Sequence, residues 1–233
     1  MLILAIETAT TAAAVALHDG TTVIAELTVS EGRRHAETIV PAIGFLCARV
    51  QRRMGDVTAV AVDLGPGLFT GLRVGVATAK TIAMALGVPL FGEISLSLLA
   101  AQGARPLETV AAVVDARRKE LYAAVYSLDE AGRAVEVLVP MVAPADVVRA
   151  ALSAVCPAGT VVVGDGVEKH ADVFAGTGWL VAPPRHPSAG TLAGAVVDRV
   201  HAGEQPSPED LELVYLRAPD AQITWSNRHG PAS

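Results

Sequence analysis

The first thirty residues contain three segments whose hydrophobic positions follow the spacing of β-strands. The segment "LILAIET" is an apolar run that ends in the acid Glu7, and "AAAVALHDG" follows it after a short turn of small residues. The third segment, "TTVIAELTV", alternates between apolar and polar residues, as a strand with one buried face does. Between the last two segments, Asp19-Gly20 is a hairpin-turn signal. The pattern therefore predicts a three-stranded meander at the start of the chain.

The same order of segments returns in the second half of the chain. "TVAAVVD" ends in Asp115, the polar turn "ARRKE" follows, and the turn "DEAG" separates "LYAAVYSL" from "RAVEVLVP". Each meander then passes into a helical segment, so an internal duplication is the simplest account. The repeat predicts two α/β subdomains related by pseudo-symmetry, with the cleft between them as the default ligand site. We place the subdomains at residues 1–104 and 105–222 and expect 223–233 to be a disordered tail.

Between the meanders, apolar residues recur at helical spacing along residues 35–51, where Pro41 predicts a kink. A buried strand, "VTAVAVDLG", then leads through a glycine-rich turn into a second helix. In the second half, the pattern predicts helices over residues 144–154, 167–175 and 189–202. The apolar face of the 35–51 helix contains Ala36, Ile39, Val40, Ile43, Cys47 and Val50.

The glycine-rich turn "GPGLFTG", residues 65–71, has two interpretations. Glycines tolerate unusual backbone angles, and the amides at the start of the following helix could face an anion such as phosphate. The turn matches neither standard phosphate-binding fingerprint, because it lacks Gly-Lys-Ser/Thr and has Thr70 where the dinucleotide motif needs glycine. The alternative is a tight strand-to-helix turn that binds no ligand.

The helix after this turn carries a row of the smallest side chains at every fourth position. Such a row lets a neighbouring helix approach closely. Glycine inside a helix costs up to about 1 kcal/mol relative to alanine, which a close neighbour would offset. The spacing alone favours packing against this chain's own sheet or its 35–51 helix over packing against an external partner. We call this row the small-residue ridge; it consists of Gly71, Gly75, Ala79 and Ala83.

Composition and charge narrow the classes of function. The 233-residue chain is 52% hydrophobic and only 4% aromatic, so its core must be built from Ala, Val and Leu. Its net charge is −6 and no basic block is longer than "RRK", which argues against a broad nucleic-acid-binding surface. No apolar run is long enough to cross a membrane, and the start "MLILAIETAT" is predicted to be a strand and not a signal peptide. Two distant cysteines fit no metal motif, so we expect a reduced, cytoplasmic protein.

Motifs for catalysis and metal binding are absent from the sequence. The six histidines include no pair four residues apart, the spacing that two ligands on one helix would need. No HExxH, Gly-x-Ser-x-Gly or Cys/His nucleophile pattern occurs either. We therefore predict no catalytic residues and no metal site in this chain.

Five stretches from Leu2 to about Gln222 occur together in a specific order. They are "LAIETAT", "RRHAETIVPAI", "GPGLFTGLRVGVATAKTIAMALGVPL", "VVDARRKELYAAVY" and "YLRAPDAQ". In this combination the chain resembles the TsaB family, also called YeaZ, although Leu68 stands where that family often has a small residue. The resemblance implies an α/β, actin/Hsp70-like ATPase (ASKHA) fold with two duplicated subdomains, each a mixed sheet with flanking helices.

The resemblance also implies a role in making threonylcarbamoyladenosine (t6A) at position 37 of tRNAs that read ANN codons. In that system TsaB resembles a shortened, non-catalytic paralogue of TsaD, the transferase that binds metal and nucleotide. The implied partners are TsaD and, through the complex, the ATPase TsaE. Contact with tRNA would be indirect, and the chain alone would form a homodimer. No cofactor is firmly expected; ATP or ADP would bind only at an interface with partners.

The family resemblance changes the expected role of the small-residue ridge, because it favours an external partner there. The predicted interface consists of Ala36, Ile39, Val40, Ile43, Cys47, Gly71, Gly75, Val76, Ala79 and Ala83. A vestigial nucleotide cleft would contain Glu7, Gly65, Gly67, Thr70, Asp115 and Arg117. The simpler alternatives are a turn-forming role for Glu7 and a solvated hairpin tip at residues 115–120.

Two rival functions stay open at this point. A nucleotide-hydrolysing enzyme of the sugar-kinase or actin type would bind ATP tightly as an isolated chain. A glycoprotease-like peptidase would need a metal or a nucleophile that the sequence does not contain. Calorimetry with ATP tests the first alternative, and metal analysis of the purified protein tests the second.

Overall fold

In the computed structural model, residues 1–30, 34–183 and 186–216 are described. The first half of the chain builds a five-stranded mixed sheet. Its strands are β1 (Ile3–Glu7), β2 (Ala13–His18), β3 (Val23–Val29), β4 (Ala59–Asp63) and β5 (Leu90–Glu93). They lie in the order β3-β2-β1-β4-β5, with an antiparallel meander on one side of β1 and parallel pairing on the other. The predicted meander is confirmed.

A second five-stranded sheet repeats this topology. Its strands are β6 (Thr109–Asp115), β7 (Glu120–Leu128), β8 (Ala134–Pro144), β9 (Val161–Val163) and β10 (Leu180–Val181). Their order, β8-β7-β6-β9-β10, matches that of the first sheet strand for strand, with the same antiparallel and parallel pairs. The internal duplication and the ASKHA-type fold class are therefore confirmed.

Helices cover both faces of the two sheets. They are α1 (His35–Arg49), α2 (Phe69–Leu86), α3 (Ser95–Gly103), α4 (Ala145–Ser153), α5 (Gly166–Lys169), α6 (Ala171–Phe174), α7 (Ala189–Ala195) and α8 (Val197–His201). The helix predicted over 167–175 is interrupted at His170, and the one predicted over 189–202 is interrupted at Val196. The sequence pattern missed β5, α3 and β10, while α1 continues through Pro41.

Each sheet is buried on both faces by small aliphatic side chains. Helices α1 and α2 cover one face of the first sheet, and α7, from the second half of the chain, covers the other. In return α3, from the first half, packs on the second sheet, whose opposite face is covered by α4, α5 and α6. We call each sheet with the helices packed on it a lobe. The two lobes are held together because each sheet is covered on one face by a helix from the other half of the chain, α7 on the first sheet and α3 on the second.

The domain boundaries at 104 and 105 stay a prediction, and the predicted tail at 223–233 lies outside the described residues. None of the helices in the described ranges combines the length and hydrophobicity that a membrane span requires.

Candidate functional site

The outer surface of α1 and α2 is one of two candidate functional sites in the first lobe. Both helices are amphipathic, so the predicted interface residues divide between an inner and an outer face. On the outer face, Val40 is 63% exposed and Ala36 is also exposed. The inner face is buried within the lobe and contains Ile39, Ile43, Cys47, Gly71, Gly75, Val76, Ala79 and Ala83.

The small-residue ridge packs against this chain's own first sheet. A Cβ atom added to Gly71 would collide with the carbonyl oxygen of Thr8, and one added to Gly75 would collide with the Thr8 hydroxyl. The Thr8 hydroxyl also donates a hydrogen bond of 2.9 Å to the carbonyl oxygen of Gly71. Ala79 and Ala83 are completely buried. This corrects the expectation of an external partner on the ridge, because its surface is already covered by the turn after β1 and the sheet.

An apolar groove of about 550 Å³ runs between the outer faces of α1 and α2. The groove is open to solvent, and its lining combines aliphatic side chains with the small residues Gly44 and Ala77. Phe45 and Met84, on the same two helices, are 49% and 60% exposed, respectively. The groove is lined by Val40, Ile43, Gly44, Met54, Ala77, Thr78, Thr81 and Ile82.

A pair of buried carboxyl groups marks the second candidate site, where β1 and β4 end side by side. Glu7 and Asp63 are 0% and 1% exposed, and their side chains are within hydrogen-bonding reach of each other. The backbone amide of Ala9 donates to Glu7 Oε1 at 2.8 Å. The amide of Gly65 and the hydroxyl of Ser95 both donate to Asp63 Oδ1 at 2.7 Å. Burial, followed by the neighbouring Asp63 charge, raises the pKa of Glu7 well above its ordinary value.

The glycine-rich turn is packed against the turn that follows β1. The amide of Leu68 donates to the carbonyl oxygen of Ala9 at 2.6 Å, and a Cβ atom on Gly67 would collide with that same carbonyl group. Gly65 has a positive φ of 99°, and its amide binds Asp63. Thr70, at the start of α2, is exposed. The amides of Gly65 and Leu68 are therefore used within the chain and are not available to a phosphate.

The second lobe has a corresponding acid pair with a different arrangement. The amide of Asp115 donates to Asp165 Oδ1 at 3.0 Å, and the ammonium group of Lys169 contacts both carboxylates. Burial favours a higher pKa for Asp115, but the amide of Arg117 and the Lys169 ammonium outweigh it and lower that pKa. Arg117 itself is exposed, with a φ of 66°. Among the described residues, no group of three or more metal-ligating side chains is placed to hold an ion.

The residues predicted for a vestigial nucleotide cleft thus belong to two hydrogen-bond networks, one in each lobe. Glu7, Gly65 and Gly67 surround the buried pair of the first lobe, whereas Asp115 and Arg117 belong to the second. Sequence reasoning missed Asp63, Ser95, Asp165 and Lys169. A usable signal was present, because Asp63 ends an apolar strand, as Glu7 and Asp115 do, and Asp165 comes shortly after one.

Two duplicated lobes with this strand order define an ASKHA-type protein. A family model described as "TsaD: tRNA N6-adenosine threonylcarbamoyltransferase" matches residues 22–148, more than half of the chain. YeaZ from Pseudomonas aeruginosa superposes with a TM-score of 0.81 at 27% identity, covering 92% of this chain and 99% of that one. The chain belongs to the TsaB (YeaZ) family.

Curated relatives agree with this assignment. Uncharacterized protein ML0378 of Mycobacterium leprae is 36% identical over 97% of this chain and 58% of its own length. The "tRNA threonylcarbamoyladenosine biosynthesis protein TsaB" of Escherichia coli is 38% identical over 57% of this chain and 58% of its own length. The matched regions therefore span less than two thirds of either relative.

Proposed function

We propose that this protein is a non-catalytic subunit that binds and activates a TsaD-type threonylcarbamoyltransferase for t6A modification of tRNAs reading ANN codons. The observation that carries the proposal is the exposed apolar groove between α1 and α2 in a chain whose named relatives include two TsaB proteins. A TsaE-type ATPase would join through the complex, and contact with tRNA would be indirect. In the absence of these partners the same groove would support a homodimer.

The groove suits a helical partner surface. Its floor is fixed by residues buried in the lobe, such as Ile43, while its rim offers exposed apolar side chains such as Val40 and short ones such as Ala77. Apolar residues at such spacing can receive the side chains of one or two partner helices. Burial of exposed apolar area would supply the driving force for association. The interface would therefore use the outer faces of α1 and α2 and leave the small-residue ridge within this chain.

The internal arrangement of the charged groups supports an accessory role. The acid pair of the first lobe is fully buried, and that of the second lobe is bridged by the Lys169 ammonium group. Two amides of the glycine-rich turn, those of Gly65 and Leu68, donate to Asp63 and to the carbonyl oxygen of Ala9. Binding of a nucleotide by the lone chain would have to break these interactions.

The direct test is t6A formation in a reconstituted mixture of the TsaD-type and TsaE-type proteins, tRNA and this chain. We expect modification to depend on this chain. Val40→Glu should weaken binding to the TsaD-type partner at least tenfold and reduce modification in proportion, because a charge would be buried in an apolar interface. Circular dichroism and the melting temperature should stay as in the wild type, since Val40 is 63% exposed.

The matched control is Val135→Glu, which places the same charge on an equally exposed valine of β8 in the other lobe. Val135 is 54% exposed. Its variant should bind the partner and support modification as the wild type does. Equal binding by the Val40→Glu protein would remove the groove from the interface, and modification that proceeds without this chain would refute the accessory role.

A further inference from the structure

The acid pair of the first lobe leaves two carboxylate oxygens without a partner. Each carboxyl group has one oxygen bound to the chain: Glu7 Oε1 to the Ala9 amide, and Asp63 Oδ1 to Gly65 and Ser95. The remaining oxygens, Glu7 Oε2 and Asp63 Oδ2, are fully buried and find no hydrogen-bond partner among the described residues. Both belong to side chains that lie within reach of each other.

Two ionised carboxylates that are buried side by side would greatly destabilise the folded protein. Each charge loses its hydration, and the two repel each other in a medium of low dielectric constant. A single proton between the two free oxygens removes one charge and gives both oxygens a hydrogen-bond partner. This is the usual outcome where two buried carboxyl groups share a site.

The second lobe shows what the chain does when it supplies a cation at the same place. There Lys169, four residues after Asp165, puts its ammonium group between the two carboxylates. In the first lobe, four residues after Asp63, the chain has Gly67, which is packed against Ala9. No side-chain ammonium is available from the corresponding position, so the first lobe needs another positive partner.

We propose that Glu7 and Asp63 hold one shared proton in the native protein, and that this proton fastens the turn after β1 to the glycine-rich turn that begins α2. Glu7 accepts a hydrogen bond from the amide of Ala9. The carbonyl oxygen of Ala9 in turn accepts one from the amide of Leu68 at 2.6 Å. Asp63 accepts hydrogen bonds from the amide of Gly65 and from the hydroxyl of Ser95 at the start of α3. Loss of the proton would place two negative charges where β1, α2 and α3 meet.

The other titratable groups near this pair are accounted for by their own contacts. From β5, Glu93 has its pKa raised by burial and, more weakly, by the Asp63 charge, and it is paired with Arg199 of α8 at 3.3 Å. From α1, the imidazole Nε2 of His35 lies 3.0 Å from the carbonyl oxygen of Thr10, beside the turn after β1. Neither group supplies a positive charge directly to Glu7 Oε2 or Asp63 Oδ2.

The proton is tested by the pH dependence of unfolding. The unfolded carboxyl groups release their protons at about pH 4, whereas the folded pair keeps one. Stability contributed by this proton is present below that pH and is lost as the pH rises toward the pKa of the folded pair. Between about pH 5 and the pKa of the folded pair, the unfolding constant of the wild type should therefore rise tenfold per pH unit relative to that of Glu7→Gln, and the difference should level off above that pKa. Glutamine is neutral, similar in shape and able to donate to Asp63, so it should fold and lack this proton.

The control is Glu37→Gln, an exposed glutamate of α1 whose variant should keep the wild-type pH dependence. Infrared spectroscopy of the wild type at neutral pH should show a protonated carboxyl C=O band that disappears in Glu7→Gln. The proposal is overturned if the band is missing from the wild type, if it persists in Glu7→Gln, or if the two proteins share one pH slope. If Glu7→Gln does not fold, Asp63→Asn and the wild-type band decide the question.

The fastening role has its own readout in hydrogen exchange. At pH values where the pair has lost its proton, the amides of residues 65–72 should exchange faster in the wild type than in Glu7→Gln. Comparison at equal pH removes the intrinsic pH dependence of exchange. If the amides of this segment exchange at equal rates in both proteins at every pH, the shared proton does not hold the two turns together.

Discussion

The two lobes have the same strand order but solve the same electrostatic problem in opposite ways. Each lobe brings two acidic side chains together where its first and fourth strands end. In the second lobe the Lys169 ammonium group bridges Asp115 and Asp165 at a partly exposed position and offsets one of their two charges. In the first lobe Glu7 and Asp63 are fully buried with no such cation. The duplicated backbone therefore does not determine the charge state of the site; the surrounding side chains do.

The helices that follow these acid pairs differ as well. In the second lobe β9 leads into the four-residue helix α5, whose last residue is Lys169. In the first lobe β4 leads into the eighteen-residue helix α2, which packs tightly on Thr8 through glycines and leaves an apolar groove outside. Where the second lobe has an open charged turn, the first lobe has a long helix with one uncovered face. This difference locates the proposed partner surface in the first lobe.

The largest effect is expected from Gly71→Ala, which breaks the close packing specific to the first lobe. The added Cβ would collide with the backbone of Thr8, which cannot rotate away as a side chain could. The helical preference for alanine gains about 1 kcal/mol, whereas the collision should cost about 3 kcal/mol or more. Urea denaturation should therefore show a net loss of stability.

The control for this variant is Gly44→Ala on the outer face of α1, where nothing lies within 4 Å of the added atom. There only the helical preference acts, so stability should rise by about 0.5 to 1 kcal/mol. A neutral or stabilising Gly71→Ala would show that the ridge is not packed as described and would reopen it to an external partner.

The next largest effect is expected from Lys169→Met, which makes the second lobe resemble the first by removing its cation. Because the Lys169 side chain is 44% exposed, solvent screening limits the loss of stability at neutral pH to about 1 to 2 kcal/mol. The lowered pKa of Asp115 means that this contribution exists above the pKa of the unfolded carboxyl group and is lost as the pH falls. The wild type and the variant should therefore converge in acid.

Lys80→Met serves as the comparison for that measurement, since within the described ranges the Lys80 ammonium group donates to a backbone carbonyl oxygen, that of Glu209 at 3.4 Å, and pairs with no carboxylate. Denaturant midpoints at neutral and acidic pH should separate the two variants. If the loss in Lys169→Met persisted unchanged in acid, it would come from packing of the lysine stem and not from the acid pair.

The smallest effect is expected from Tyr126→Phe in the second lobe. The Tyr126 hydroxyl is buried and has no hydrogen-bond partner among the described residues, and burial raises its pKa. The charge of Glu136, its cross-strand neighbour on β8, raises that pKa further. Removal of the hydroxyl should be neutral or should stabilise the protein by up to about 1 kcal/mol. A clear loss of stability in thermal unfolding would reveal a partner for this hydroxyl.

The fold was largely predictable because its signals are local. Alternating and continuous apolar runs marked both meanders, and their recurrence marked the duplication. The short elements were not predictable in this way. Strand β10 has two exposed residues and α3 has no side-chain cap, so each depends on its neighbours for stability. Interruptions at His170 and Val196 likewise left no clear mark in the apolar pattern.

The sequence by itself determined which residues share a face, where the acids end their strands and that the chain consists of two related halves. Only the tertiary structure decided what covers each face. The small-residue ridge is covered by Thr8, sixty-three residues before Gly71, and Glu7 meets Asp63 only because β1 and β4 pair in parallel. Spacing along a helix or strand fixes the side of the element to which each side chain points. Whether that side chain is buried or ionised depends on groups that the fold brings together from distant parts of the chain.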